Sequence, residues 1–547
     1  MYPNPTPNQG YHGGELKAPL LALMNEKKLG AEWSFYRLKG AQIDFTDSTG
    51  RTTLLGNSIT EEGFVASSSC ITCHARGSTN YHHDRGVGGA MFDSSAPWRF
   101  TTKPTPRIIT AARVIMHRLP LTCTRRRFVR QAGTGAVAIG TAASAMFRAG
   151  AAETDPSEIA FIGLQARGTE LLRAFTATRQ TRVAWLCDVH QTILDSAAKE
   201  IAALQARPAK NTTDFRRILD DRRVQAVVVA MPDHWHATAA MLALKAGKAV
   251  YLEAPLAHNP REGELLIETV RRTRGLLQVG LQHRSVPWIL EIIERIRAGE
   301  FGPMHFARAW FTGDRPSIGF GQLAPVPEGL QYDLWQGPAP ERPFRDNLLP
   351  ANWRWFWNWG TGELGLNGVH WLDLARWGLR LECPLRVASG GGRYHFEDDQ
   401  ETPDTQTVTY DFGRHTIVWE HRSCLPQPVE GETTGVAFHG EKATVILGPS
   451  GYRVRDPRGK EIHRHEGSLS TVPHVAAFLA GIEKRPTTNP AGVEDAHRST
   501  QLCHLGNIAQ RLGRSLQLNP QTCQVRDDRD AAALWHRSYR TAWEPVL

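Results

Sequence analysis

IAFIGLQARGTELLRAF, residues 159–175, decides the fold. Its first part, IAFIG (159–163), is an apolar run of the length of a buried strand, and GTELLRAF opens an amphipathic helix. The join reads Gly163-Leu164-Gln165-Ala166-Arg167-Gly168. A dinucleotide fingerprint is G-x-G-x-x-G, because glycines let the chain turn tightly and carry backbone amides up to a pyrophosphate at a helix N-terminus. The outer glycines are present, and Gln165 takes the middle place, with a Cβ where the approach should be closest. Asp188 stands twenty residues after Gly168, closing the next apolar run, RVAWLCD (182–188). A carboxylate there accepts both ribose hydroxyls and repels a 2′-phosphate, which favours NAD over NADP.

The same rhythm continues outward. HQTILDSAAKEIAALQA and HATAAMLALKAG have helical patterns, and VQAVVVAMP (224–232), AVYLEAP (249–255) and LLQVGLQ (276–282) repeat the strand signal. Strands separated by helices require crossovers, so residues 157–284 predict a Rossmann-type, doubly wound parallel sheet of the α/β class. After Arg284 the runs alternate without intervening helices: QTVTYDFGRHTIVWEHR (406–422), TGVAFHGEKATVILG and GYRVRD. Residues 285–547 therefore predict an α+β domain with an open, mainly antiparallel sheet, closed by helices at HVAAFLAGIEK and HRSTQLCHLGNIAQRLG.

Residues 1–115 are rich in Gly, Ser and Thr, with little periodicity, and predict a poorly structured extension. Within them Cys70, Cys73 and His74 form C-x-x-C-H. Two thiols at that spacing add to the vinyl groups of one haem and the histidine ligates its iron, so haem c is the cofactor this motif would hold. The stretch resembles the closing part of a bacterial c-type cytochrome. Residues 116–151 then carry TRRRFVR (124–130), an uncharged QAGTGAVAIGTAASAMF, and the exit Ala149-Gly150-Ala151. This resembles a twin-arginine export signal and implies a periplasmic destination. Either a fusion retains an internal signal or the start is Met116 with an upstream extension; the second is preferred, since residues 1–115 carry no signal of their own.

Six arginines and no acidic residue lie between Met116 and Gly150, so the formal net charge of +9 leaves about +3 for the rest, which argues against nucleic acid as a partner. Eight cysteines in 547 residues are too few for a disulfide framework. Outside the signal no run reaches the roughly eighteen apolar residues of a permanent membrane span. No metal site is expected.

A family resemblance rests on DFRRILDDRRVQAVVVAMPDHWHATAAMLALKAGKAVYLEAPLAHN (214–259), DLWQGPAPERPF, NWRWFWNWGTGELGLNGVHWLDLARWGL and HRSTQLCHLGNIAQRLGR. These resemble the Gfo/Idh/MocA oxidoreductases, the later ones the exported branch. The resemblance implies hydride transfer at a sugar or cyclitol hydroxyl carbon and a homo-oligomer. It implies that Ala230, Met231 and Pro232 line the nicotinamide, that His236 and Glu253 flank its ribose, that Pro255 is among the cofactor-binding residues, that Gln282 closes the site, and that His370 and Asp373 are catalytic. Two departures matter. Ala254 stands where the family has lysine beside the reacting hydroxyl, and Leu366 where it has Asp or Asn.

What remains is His370 as proton acceptor with Asp373 setting its tautomer. Lys245 and Lys248, near Ala254 in sequence, are expected to point into solvent. Trp353, Trp355, Trp357 and Trp359 would share one side if extended, facing a sugar ring or, more commonly, a core or seam, with Arg354 and Asn358 opposite. The rival readings are a non-catalytic nucleotide- or sugar-binding protein and a haem electron-transfer fusion.

Overall fold

The computed structural model describes residues 156–485 and 489–547, together with the strands Tyr2–Pro3 and Tyr36–Arg37, which pair antiparallel. The chain divides into two units, Met1–Phe128 and Val129–Leu547. The haem motif at Cys70, Cys73 and His74 and the signal-like segment 116–151 lie outside the described residues.

Six strands form the first sheet: β1 (Ser157–Ile162), β2 (Thr181–Cys187), β3 (Lys210–Thr212), β4 (Ala226–Val229), β5 (Ala249–Leu252) and β6 (Leu277–Val279). Their order is β3-β2-β1-β4-β5-β6 and every pairing is parallel, so the predicted doubly wound sheet is present. The order reverses between β1 and β4, the switch point where open α/β sheets bind ligands. All four residues of β4, AVVV, are buried, as strands covered on both faces must be. Helix α1 (Ala166–Ala177) follows β1 through Gly163, whose φ is +85°. A Cβ on Gly163 would stand 2.5 Å from the Ala230 carbonyl oxygen, and one on Gly168 would stand 2.0 Å from the Gly163 oxygen. Both glycines are therefore demanded by close packing, independently of any ligand. Helices α2 (Gln191–Leu204), α3 (His236–Lys245) and α4 (Pro260–Thr273) complete the crossovers.

The second sheet has nine strands: β7 (Met304–Thr312), β8 (Arg386–Gly392), β9 (Thr405–Asp411), β10 (Thr416–Arg422), β11 (Thr434–Gly440), β12 (Thr444–Gly448), β13 (Gly451–Arg455), β14 (Glu461–Glu466) and β15 (Leu516–Gln517). The order is β14-β13-β12-β11-β7-β10-β9-β8-β15, antiparallel except for the β7–β10 pair. Helices α5 (Val369–Gly378) and α6 (Val493–Leu512) cover one face, and one continuous core joins it to the first sheet through Val227, Ala240, Leu364, Trp419, Phe438 and Leu505. The helix Val472–Ile482 returns to the first sheet: its Val475, Phe478 and Leu479 bury against Ile159, Phe175 and Tyr251. The Phe478 ring lies edge-on 6.1 Å from Phe175 and 5.7 Å from Tyr251, a site where truncation to alanine costs about 3–5 kcal/mol.

The tryptophan run is not extended. Asn352–Trp355 is a 3-10 turn, and Trp353, Phe356 and Trp359 form a local core with Tyr332, Trp335 and Phe344. One disulfide, Cys383–Cys523, ties the loop before β8 to the segment after β15 with its Cα atoms 5.6 Å apart. The cysteine count, set against small disulfide-dense domains, did not anticipate it. Among the described residues no helix is long and apolar enough to cross a membrane.

Candidate dinucleotide and active site

At the carboxyl ends of β1, β2, β4 and β5 opens a cavity of about 920 Å³. Gly163, Gln165, Arg167, Asp188, Ala230, Met231, Pro232, His236, Glu253, Gln282 and His370 all line it. Gly168 and Pro255 do not: the first packs beneath the loop and the second offers only its carbonyl. Gln165 is the N-cap residue of α1, makes no capping bond and is exposed, so its side chain does not fill the turn.

Asp188 knits the loop. Its Oδ2 accepts the Leu164 N–H at 2.8 Å and its Oδ1 accepts the His190 N–H at 2.9 Å. Burial pushes its carboxyl pKa up against those two amides. Each oxygen keeps a second lone pair.

Opposite the loop, Arg167 Nε donates to Glu253 Oε1 at 2.9 Å and its Nη1 to Glu170 Oε2 at 2.8 Å, while the buried Nη2 has no partner among the described residues. His236 is locked between backbone carbonyls, Nδ1 against Pro255 at 2.6 Å and Nε2 against Met231 at 2.8 Å, so it holds the strand ends together and has no free nitrogen. The Asp233 Oδ2 accepts the Thr361 hydroxyl at 2.6 Å, and burial raises its pKa.

His370, in the first turn of α5, presents a buried Nδ1 that has no hydrogen-bond partner among the described residues. Its ring centroid lies 5.3 Å from that of His283. Burial, reinforced by the Arg167 charge, brings its pKa down to about 4, and burial takes His283 to about 3.

Asp373 does not orient His370, contrary to the expected pair. Its Oδ2 accepts Arg284 Nε at 2.7 Å, and its Oδ1 accepts Arg284 Nη2 at 2.6 Å and the Ser499 hydroxyl at 2.5 Å. Both side chains of the Arg284–Asp373 pair are 1% exposed. A guanidinium buried so completely must be met by a carboxylate, and Asp373, which is not among the residues lining the cavity, meets it.

Just before α5, residues Leu364–Gly368 form a π-helical turn. The wider turn brings both Leu366 and Asn367 to the cavity wall, so an amide is present one position after the expected one. Asn367 Nδ2 donates to the buried Glu363, which Arg315 pairs at 2.6 Å. Asn367 was legible in GLNGVH only to a reader who allowed for an extra residue in the turn. Arg354 and Trp353 reach the cavity from the tryptophan cluster, with the guanidinium 4.5 Å over the Trp353 ring. Lys248 is not in solvent: it is 6% exposed and its Nζ donates to the Asp221 carbonyl at 2.8 Å. Lys245 is exposed and reaches the Val546 carbonyl. Among the described residues no cluster of three His, Cys, Asp or Glu side chains could hold a metal ion.

Two family models match the chain: residues 157–281 match the oxidoreductase family's NAD-binding Rossmann fold, and residues 318–545 match its C-terminal alpha/beta domain. The chain belongs to the Gfo/Idh/MocA oxidoreductase family. An alpha-N-acetylgalactosaminidase of Shewanella oneidensis is 27% identical over 151 residues, 27% of this chain and 33% of that protein. The chain thus aligns with about a third of the length of such curated relatives. Among solved structures, the WlbA dehydrogenase of Bordetella pertussis, in complex with NADH and UDP-GlcNAcA, superposes with a TM-score of 0.51 at 17% identity, covering 66% of this chain and 99% of that one. An NAD-binding oxidoreductase of Klebsiella pneumoniae gives 0.51 at 19% identity, with 66% and 99% covered. At these identities the superpositions speak for the Gfo/Idh/MocA fold.

Proposed function

We propose that this protein is an exported, NAD-dependent oxidoreductase acting at a hydroxyl-bearing carbon of a sugar or cyclitol, with the proton handled by His370 in the absence of the family lysine. The observation that carries the proposal is that His370, whose buried Nδ1 has no partner among the described residues, lines the same cavity as Gly163 and Asp188.

The cavity fits a dinucleotide. Its volume of about 920 Å³ lies at the upper end of small-molecule sites, and Gly163, Gln165 and Asp188 line it at the carboxyl ends of the strands. NAD bound there would supply the hydride acceptor. Asp188 would take the ribose hydroxyls through its spare lone pairs and disfavour a 2′-phosphate. His370, kept unprotonated at neutral pH by burial and by Arg167, accepts the alcohol proton on Nδ1. Asn367, on the same cavity wall, can hydrogen-bond the same hydroxyl. A carbohydrate substrate is supported by the aligned Shewanella glycosidase.

Export is supported by the twin-arginine-like segment and by the Cys383–Cys523 disulfide, a bond that persists in oxidising compartments. A homo-oligomer through the uncovered face of the nine-stranded sheet belongs to the same proposal; along β9 and β10 every second residue is left partly or fully accessible.

The test is a nicotinamide-fluorescence titration followed by turnover on a panel of sugars and cyclitols, for the native chain and for Ala254→Lys. NADH binding, slow native turnover and a gain of about 100-fold or more in the variant are expected. No nucleotide binding and no turnover by either protein would favour a non-catalytic binding protein.

A further inference from the structure

Behind the Asp233 turn lies a second cavity, of about 320 Å³, with no carboxylate among its lining residues. Four of those residues hold polar atoms that are buried and unpartnered or carry a free cation. His504 is 4% exposed and its Nε2 has no partner among the described residues. Neither ring nitrogen of His258 has one, nor does Arg537 Nη1. At the mouth the exposed Arg511 guanidinium stands 5.2 Å over the Trp357 ring and makes no hydrogen bond among the described residues. Buried polar atoms in folded proteins are almost always satisfied, so this many orphans on residues that line one cavity point to a ligand.

The charges say what kind. Arg537 Nη2 donates to the His234 carbonyl at 2.7 Å and its Nε lies 3.0 Å from Glu262, which sits behind the wall and also accepts the Tyr539 hydroxyl at 2.9 Å. Arg511 adds a second cation. Guanidinium groups match the planar, paired acceptors of carboxylates and phosphates. Burial, and then the Arg537 charge, hold His258 well below its usual pKa, so its ring is neutral and offers one N–H and one acceptor.

We propose that this second cavity binds a small molecule carrying a phosphate or carboxylate group, gripped by Arg511 and Arg537, with His258 bonding it from the buried wall and the Nε2 of His504, whose other ring nitrogen donates to the Ala257 carbonyl, accepting from a ligand hydroxyl. The cavity's size suits a ligand at the small end of the range for specific pockets. It shares a wall with the dinucleotide cavity. Asn507 Nδ2 donates to the Thr361 carbonyl at 2.8 Å, and the Thr361 hydroxyl in turn holds Asp233 at 2.6 Å.

The site does not depend on the chemistry assigned to His370, and its test is separate. The full chain is titrated calorimetrically with inorganic phosphate and with citrate, in the presence of NADH so that anions do not enter the pyrophosphate cradle. Heat with either probe is expected, weakened about tenfold or more by Arg511→Gln and by His504→Gln and unchanged by Arg464→Gln on the distant edge strand. Binding of phosphate alone assigns a phosphate-bearing ligand, and binding of citrate alone a carboxylate. Arg511 is exposed, so its variant keeps the test sound if His504→Gln fails to fold. No heat with either probe at millimolar concentration, or binding that survives Arg511→Gln, overturns the proposal.

Discussion

Asp373→Asn separates a structural carboxylate from a catalytic one. The substitution keeps the volume and removes the charge, leaving the Arg284 guanidinium, 1% exposed, with Asp495 as its remaining carboxylate. The two Arg284 bonds at 2.6 and 2.7 Å would be weakened or mispaired, because the new amide donates where a carboxylate accepted. Removing one partner of a buried pair costs about 3–5 kcal/mol. Spread over an unfolding entropy of ~2.1 cal/mol/K per residue for roughly 400 residues, a loss of about 4 kcal/mol lowers Tm by about 5 °C. The assay pairs calorimetric melting with the pH profile of kcat/KM. A lowered Tm with an unchanged acid limb is expected, since Asp373 makes no bond to His370. A carboxylate that sets a catalytic tautomer typically loses about 10,000-fold in kcat on the same change. An unchanged Tm with a loss of that size would refute the structural assignment.

The acid limb itself reports on Arg167. With its pKa near 4, His370 is a competent base above that pH and loses the role below it. Arg167→Met removes a cation that opposes imidazolium formation and leaves Glu253 unpaired, so the limb should move up toward 6.5; a limb that stays or moves down contradicts the assignment. The Cys383–Cys523 bond closes a separation of 140 residues, so Cys383→Ser and mild reduction should each lower unfolding free energy by about 2–5 kcal/mol in denaturant titrations. Equal stability with and without the bond would show that the unfolded chain gains nothing from its removal.

The nine-stranded sheet shows where periodicity suffices. The alternation in TQTVTYD and TIVWEHR is borne out by β9 and β10, because a strand with one covered face must hide every second residue. By contrast β3, residues Lys210–Thr212 with the sequence KNT, carries no apolar signal; it exists because the edge of β2 offers it backbone partners. Lys248 reads as a turn lysine, yet the fold places a carbonyl over it.

The chain alone determined the Rossmann sheet and the turn at Gly163 and Gly168, since apolar periodicity and backbone freedom are legible in neighbours in sequence, while the further residues at the strand ends were implied by the family resemblance. Only the tertiary structure decided that Asp373 belongs to Arg284, 89 residues away, that Arg167 belongs to Glu253, 86 away, and that a π-helical turn carries Asn367 to the cavity. Buried charges take whichever opposite charge the packed elements bring within reach, because desolvation leaves them no alternative, and that choice is made in space.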